Sequence, residues 1–274
     1  MQKPSNAEYQ ALRAVSSHWL ISMLDSPAAC WRKYLDPSRP PQKPTAALRF
    51  GTLVHGLTLT PHRFEREFIV SDAARRGAAA RAMHETWERA GMTVVGPAEL
   101  EKAREVVAAL FAHPEARKLL SRSNGKKERT IIQPRARGLL SLKARLDLHR
   151  ESHRQVVELK TTWNLAKAMD AMERYRYPLS AAFYQDISCS QSVTFVFVQT
   201  APPHEVAVIP MDGQQLQAGR EQWQTALARF DDCWRRNHWP EAEPDRPDDD
   251  PLMMDFMPAK ARQRFELPVG ELAL

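Results

Sequence analysis

No run in this chain approaches the roughly 18–20 consecutive apolar residues that a membrane span needs. The opening residues, MQKPSNAEYQ, lack the apolar stretch of a secretory signal. Cysteine is scarce. Cys30, Cys189 and Cys233 are odd in number and far apart, which excludes a disulfide framework and a Cys-x-x-Cys zinc pattern. A reduced, cytoplasmic setting is expected. Internal repeats and long low-complexity segments are also missing. At 274 residues, 43% hydrophobic and 26% charged, the chain suits one large domain or two small ones, and is neither disordered nor collagen-like.

Charge is present but unevenly placed. The total is +6, yet Trp239–Leu274 holds nine acidic and four basic residues, so the first 238 residues carry +11. A basic body with an acidic tail fits a polyanionic partner such as nucleic acid. It also fits a solvated basic surface.

The first third reads helical. Ser17 is placed to cap a helix with Leu20, Ile21 and Leu24, and Pro27 to open the next, with Cys30, Trp31 and Tyr34. After the connector SRPPQKPT, Ala46–Leu59 is an apolar helix containing Gly51 and His55. Pro61 restarts a short helix running into Phe68-Ile69-Val70, and helical stretches cover about 73–90 and 98–111. From Leu140 the period changes to two: Leu140, Leu142, Ala144, Leu146 and Leu148 alternate with Ser141, Lys143, Arg145 and Asp147. That is a half-buried strand. Gln155–Lys160 is a second, and 164–188 reads as one helical stretch. Val193–Val198 looks buried on both faces, and Val206–Ile209 is expected to pair with it across Pro202-Pro203. Leu216, Trp223, Leu227, Phe230 and Trp234 mark a long amphipathic helix. The expected fold is α/β (α+β), a small mixed central sheet flanked by helices with a helical N-terminal region. Residues 1–239 are expected to form one domain (1–120 mainly helical, 121–239 carrying the sheet), and 240–274 a Pro-rich acidic tail.

A hairpin centred between Ser152 and His153 places Asp147 directly across from Glu158, with Lys160 on the same face as Glu158. Facing carboxylates repel unless a cation sits between them. A hard divalent ion, Mg²⁺ with Mn²⁺ as substitute, is the usual solution, and the Leu159 carbonyl could add an oxygen. Lys160 beside it could orient a water and stabilise charge as a P–O bond is attacked. The same spacing also fits a cross-strand ion pair of Lys160 with Asp147 or Glu158. Glu128 is a further candidate carboxylate. Lys126, Lys127, Arg135, Arg137, Lys143 and Arg145 could track phosphates or be surface charge. Arg75, Arg76 and Arg81 could form a basic loop over DNA, and Trp163 could stack on a base or belong to the core.

These motifs occur in a recognisable order. Ser17-His18-Trp19-Leu20 runs through Ser26-Pro27 to Trp31-Arg32-Lys33. Phe50-Gly51-Thr52-Leu53-Val54-His55 follows, then Phe64 and Phe68-Ile69-Val70. Next come Ala144-Arg145-Leu146-Asp147 and Glu158-Leu159-Lys160-Thr161-Thr162. Tyr175-Arg176-Tyr177 through Ala182-Phe183-Tyr184 and Thr194–Val198 complete the set. The pattern resembles the PD-(D/E)xK nuclease superfamily, with its restriction-endonuclease-like core, and within it the RecE-type (exonuclease VIII) double-strand exonucleases.

The resemblance implies metal ligation by His55, Asp147, Glu158 and the Leu159 carbonyl, and catalysis by Lys160 with Glu158, Asp147 and His55. It assigns nucleic-acid contacts to Tyr184, and Arg145 and Lys143 are read as joining it. It implies a Mg²⁺-dependent exodeoxyribonuclease working 5′→3′ on linear duplex ends and leaving a 3′ overhang for strand annealing. A single-strand annealing partner (RecT- or Beta-like), a ring-shaped trimer or tetramer, and a phage or prophage origin in a bacterial cell go with it. Other polarities or substrates on the same fold, and a non-catalytic DNA-binding module, are the rival readings. The family's Gln-x-x-x-Tyr helix has Ser180 at the Gln position, with Gln185 on a different helical face. Arg145-Leu146-Asp147 stands where Arg-Pro-Asp is usual. Three scattered cysteines do not match the four that hold an iron–sulfur cluster in some relatives.

Overall fold

A computed structural model describes residues 6–40, 44–72, 77–121 and 125–241. The chain divides into Met1–Pro240 and Glu241–Leu274. Almost all of the acidic tail, and Arg75 and Arg76 of the expected basic loop, lie outside the described residues.

The helices are α1 (Asn6–Ala11), α2 (Ser17–Asp25), α3 (Pro27–Cys30), α4 (Ala46–Leu59), α5 (Phe64–Glu67), α6 (Ala78–Arg89), α7 (Pro97–Ala112), α8 (Pro114–Leu120), α9 (Ala168–Arg174), α10 (Tyr177–Ile187) and α11 (Gly213–Arg236). The strands are β1 (Phe68–Val70), β2 (Thr93–Val95), β3 (Lys126–Gln133), β4 (Leu142–Arg150), β5 (Gln155–Thr162), β6 (Ser192–Gln199) and β7 (Val206–Pro210). β1 and β2 form a small parallel pair. The other five form the central sheet in chain order, with β5 and β6 parallel and every other neighbour antiparallel. This is the expected α/β (α+β) architecture.

Each face of the sheet has its own apolar core. Val193, Phe195 and Phe197 of β6 pack with Leu20, Met23, Phe183 and Phe230, whereas Val196 and Val198 pack with Leu53, Val106 and Leu110. A strand buried on both faces needs apolar residues at both parities, as the VTFVFV run suggests. Helix α11 starts with a capping box between Asp212 and Gln215, ends on left-handed Asn237, and buries Leu216, Ala226 and Phe230. Gly219 lets it cross the start of α10, because a Cβ there would lie 2.0 Å from the Pro178 carbonyl oxygen.

Three local expectations are corrected. Ser17 does not cap α2. Ser16 occupies that position without a side-chain bond, and Ser17 Oγ donates to Tyr184 Oη at 3.3 Å. The stretch read as one helix over 164–188 is two, broken at Arg176, whose φ is 51°. Pro178, in the first turn of α10, marks the restart.

The third correction concerns Lys143. Its parity matches that of Asp147, yet it is 2% exposed. Val15 runs beside the start of β4, exchanging main-chain bonds with Ser141 and Lys143, which draws α1 over the strand. Lys143 Nζ donates to the carbonyls of Tyr9 (2.9 Å) and Leu12 (2.8 Å). Burial pulls its ammonium down to about 8. It staples the N-terminal segment and has no reach to a phosphate. Lys143→Ala is expected to lower folding stability by about 2 kcal/mol, because buried carbonyls lose their donor. A denaturant melt measures this.

Candidate active site

Strands β4 and β5 form a fork. Their ladder pairs Arg150 with Gln155, His149 with Val156 and Leu148 with Val157, then stops. The next pair in register is Asp147 with Glu158, as the hairpin arithmetic predicts. Here the side chains replace the backbone bonds. The Asp147 N–H donates to Glu158 Oε1 (3.2 Å), and the Leu159 N–H donates to Asp147 Oδ2 (2.8 Å). Beyond the fork, β5 continues along β6, and the freed edge of β4 pairs with Val15. The gap is a cleft of about 680 Å³ lined by Asp147, Glu158, Lys160, His55, Glu128 and Arg145, among others.

Three further groups converge there. Lys160 Nζ lies 3.1 Å from Glu158 Oε2. His55, brought by α4, places Nδ1 3.5 Å from Asp147 Oδ1. Gly51, one turn earlier, lets α4 approach β5 closely, since a Cβ there would meet Thr161 Oγ1 at 3.2 Å. Glu128 on β3 stands opposite Asp147 in register but drops out of the ladder with φ 50°. A non-glycine residue in the left-handed region costs about 1–3 kcal/mol and is concentrated at functional sites. The ligand atoms of His55, Glu128 and Asp147 all lie within 4.8 Å of one another. Leu159 is at the site through its N–H.

Burial first, and then close opposite charges, shift the four titratable groups of the fork. Burial pushes the Glu158 carboxyl up to about 7, the facing Asp147 carboxylate adds to the rise, and Lys160 offsets part of it. Burial would raise Asp147 too, but His55, Lys160 and the Leu159 amide hold it below the usual carboxylate range. Burial would lower His55 and Lys160, and the acids outweigh it, so both cations are held above their ordinary values. A carboxyl that is desolvated and faces a second carboxylate keeps its proton toward neutrality. Carboxylate oxygens with one imidazole suit a hard divalent cation such as Mg²⁺ or Mn²⁺. The residues present fit such an ion.

The family model for a PDDEXK-like domain of unknown function, DUF3799, matches residues 16–243, which include the whole fork. The chain belongs to this PDDEXK-like family. No curated protein matches it. Among solved structures, a protein from Eubacterium rectale described as a candidate exonuclease shares 11% identity with this PDDEXK-like chain. The match covers 100% of this chain and 97% of that one with a TM-score of 0.62, a likeness of fold. A phage-related exonuclease from Haemophilus somnus 129PT shares 11% identity over 84% of this chain and 99% of its own, with a TM-score of 0.35.

The nucleic-acid contacts expected of the PDDEXK-like cleft divide. Tyr184 lines it but is 8% exposed, with its hydroxyl held by Ser17. Arg145 lies over the Tyr9 ring (4.3 Å) with Nε 4.0 Å from Glu128 Oε2, so it braces the displaced acid while facing the cleft. Lys143 is buried, as described above. Others of the basic set make internal contacts. Lys127 Nζ donates to the carbonyls of Leu120 and Ser121, Lys126 pairs with Glu151, and Arg135 pairs with Asp231 on α11. Ser180, at the Gln position of the motif, is buried, and Gln185 points away to Arg220 and Gln191. Trp163 is 48% exposed rather than in the core. Glu128 carried little signal in the sequence, because nothing in KKERTIIQ announces that its glutamate leaves the ladder.

Proposed function

We propose that this protein is a divalent-metal-dependent deoxyribonuclease that shortens linear DNA from an end, working 5′→3′ on one strand of a duplex and leaving a 3′ overhang for strand annealing. One observation carries the reading: a buried and a half-buried carboxylate, Glu158 and Asp147, facing across a strand fork, with Lys160 paired to the first and His55 and Glu128 gathered on the second. Asp147, Glu128 and His55 would hold the ion, with Glu158 closing the set. A bound divalent cation supplies Lewis acidity to the phosphate and lowers the pKa of the attacking water. Lys160 is held as an ammonium by Glu158 and Asp147, so it acts by charge and hydrogen-bond donation to a phosphate oxygen rather than as a base. Tyr184 and Arg145 shape the wall past which the strand runs.

The test uses linear duplex, covalently closed circle and single strand, each labelled at either end where it has ends. We expect Mg²⁺-dependent loss of 5′ label from linear DNA, an intact circle, and no digestion in EDTA. Cutting of the circle would replace the exonuclease reading with an endonuclease. Digestion undiminished in EDTA would remove the metal reading altogether.

A further inference from the structure

We infer that the first turn of α2 and Lys33 together form a second phosphate subsite in the cleft, for the phosphate of the DNA strand that neighbours the one cut. The inference rests on the nuclease reading above and names a substrate contact within it. The cleft meets α2 only at its start, where Ser16, Ser17, His18 and Trp19 line it and no later residue of the helix does. Ser16 is 8% exposed, and its hydroxyl caps nothing and has no hydrogen-bond partner among the described residues. Its carbonyl accepts from the N–H groups of both Trp19 (3.0 Å) and Leu20 (3.1 Å). The N–H groups of Ser17 and His18 are those that a helix start leaves without an internal partner. A buried hydroxyl and unspent amides at the positive end of a helix suit an anion.

An unusual turn brings a cation to the same place. Trp31–Leu35 is π-helical, closed by the Asp36 N–H on the Trp31 carbonyl (2.9 Å). Such turns are rare and occur mostly at functional sites. Tyr34 ties this one to α2: its ring stacks on Trp19 (centroids 5.1 Å apart, planes at 19°), and its hydroxyl donates to the His18 carbonyl (3.3 Å). Lys33, one residue earlier, is exposed, lines the cleft and makes no ion pair among the described residues. The His18 side chain opens to solvent, yet the protein packed around it, and then the charges of Lys160 and Lys33, hold its imidazole down at about 4. The four acids that line the cleft are engaged elsewhere: Glu158 with Lys160, Asp147 with His55, Glu128 with Arg145 and Glu67 with Arg63. The donors and charge at the start of α2 therefore have no carboxylate answering them. With one phosphate on Lys160, the next along the strand is the anion that does.

The experiment uses the full chain and a single-stranded oligonucleotide in Ca²⁺, which favours binding without turnover. One uncharged methylphosphonate linkage is walked inward from the end, and the 5′ end is either phosphorylated or free. Wild type should lose roughly 5- to 10-fold in affinity when the missing charge falls at the subsite. Lys33→Gln should bind the unmodified strand that much more weakly, with a log–log salt slope shallower by about 0.7, and should lose nothing further from the neutral linkage at that position. Lys33→Arg should keep wild-type affinity. Ser16→Ala should weaken binding by roughly 3-fold while melting at the wild-type temperature, because it has no cap bond to lose. If the 5′-phosphate is the group whose removal Lys33→Gln makes silent, the subsite holds the terminal monoester; if an internal linkage is, it holds a diester. Wild-type affinity and salt slope in Lys33→Gln, or a neutral-linkage penalty that persists in it at every position, overturns the subsite while leaving the nuclease reading intact. A wild-type protein that neither binds nor cuts DNA overturns both.

Discussion

Lys160→Ala is expected to slow single-turnover digestion of linear DNA at saturating Mg²⁺ by roughly 100- to 1,000-fold, the usual cost of removing one preorganised charge donor from a reacting centre. Asp147→Asn should lose at least as much, because Asp147 faces both His55 and the main chain of Leu159. Binding in Ca²⁺ should largely survive in the lysine variant. Wild-type digestion rates in both variants would sink the assignment of the fork as the reacting centre.

The second large effect is on stability. The Glu158 carboxyl is raised from its ordinary value to about 7, so between pH ~4.5 and ~7 the folded chain holds a proton that the unfolded chain has released. Glu158's contribution is therefore present below that window and is lost as pH rises through it. His55, also raised, acts in the same direction. Asp147 acts oppositely, but its window lies below the ordinary carboxylate pKa. The metal-free protein should thus weaken from pH 5 to pH 8, by on the order of 3 kcal/mol, or roughly 6–12 °C in Tm. Millimolar Mg²⁺ or Mn²⁺ should restore most of the loss at pH 8 and little at pH 5, where protons compete for the same oxygens. Differential scanning calorimetry with metal or EDTA checks both. Glu158→Gln should flatten the slope, and a metal-free protein that gains stability across this range would contradict the electrostatics.

The part of the site legible in the sequence was the part built from one hairpin. A period of two over Leu140–Leu148 and again over Gln155–Lys160 sets both strands and their register, and with them the facing of Asp147 and Glu158. His55 came with the Gly-Thr-x-x-His block, where Gly51 is needed because α4 lies close on β5. Glu128 was only a candidate, since its role depends on one left-handed residue inside a strand. The lysines and arginines were the least legible. Lys143 shares the parity of Asp147 and differs from it only in what a segment more than a hundred residues away lays over it. The break at Arg176 had a signal in Pro178 that helical composition over the whole stretch obscured.

The fork also ties chemistry to the main chain. The Asp147 and Leu159 amides are satisfied by Glu158 Oε1 and Asp147 Oδ2 of the opposite strand, which leaves Glu158 Oε2 to Lys160 and Asp147 Oδ1 to His55. The same two side chains therefore hold the open end of the hairpin together and present an oxygen each to the cleft, so neither can be replaced without loosening the strands it joins.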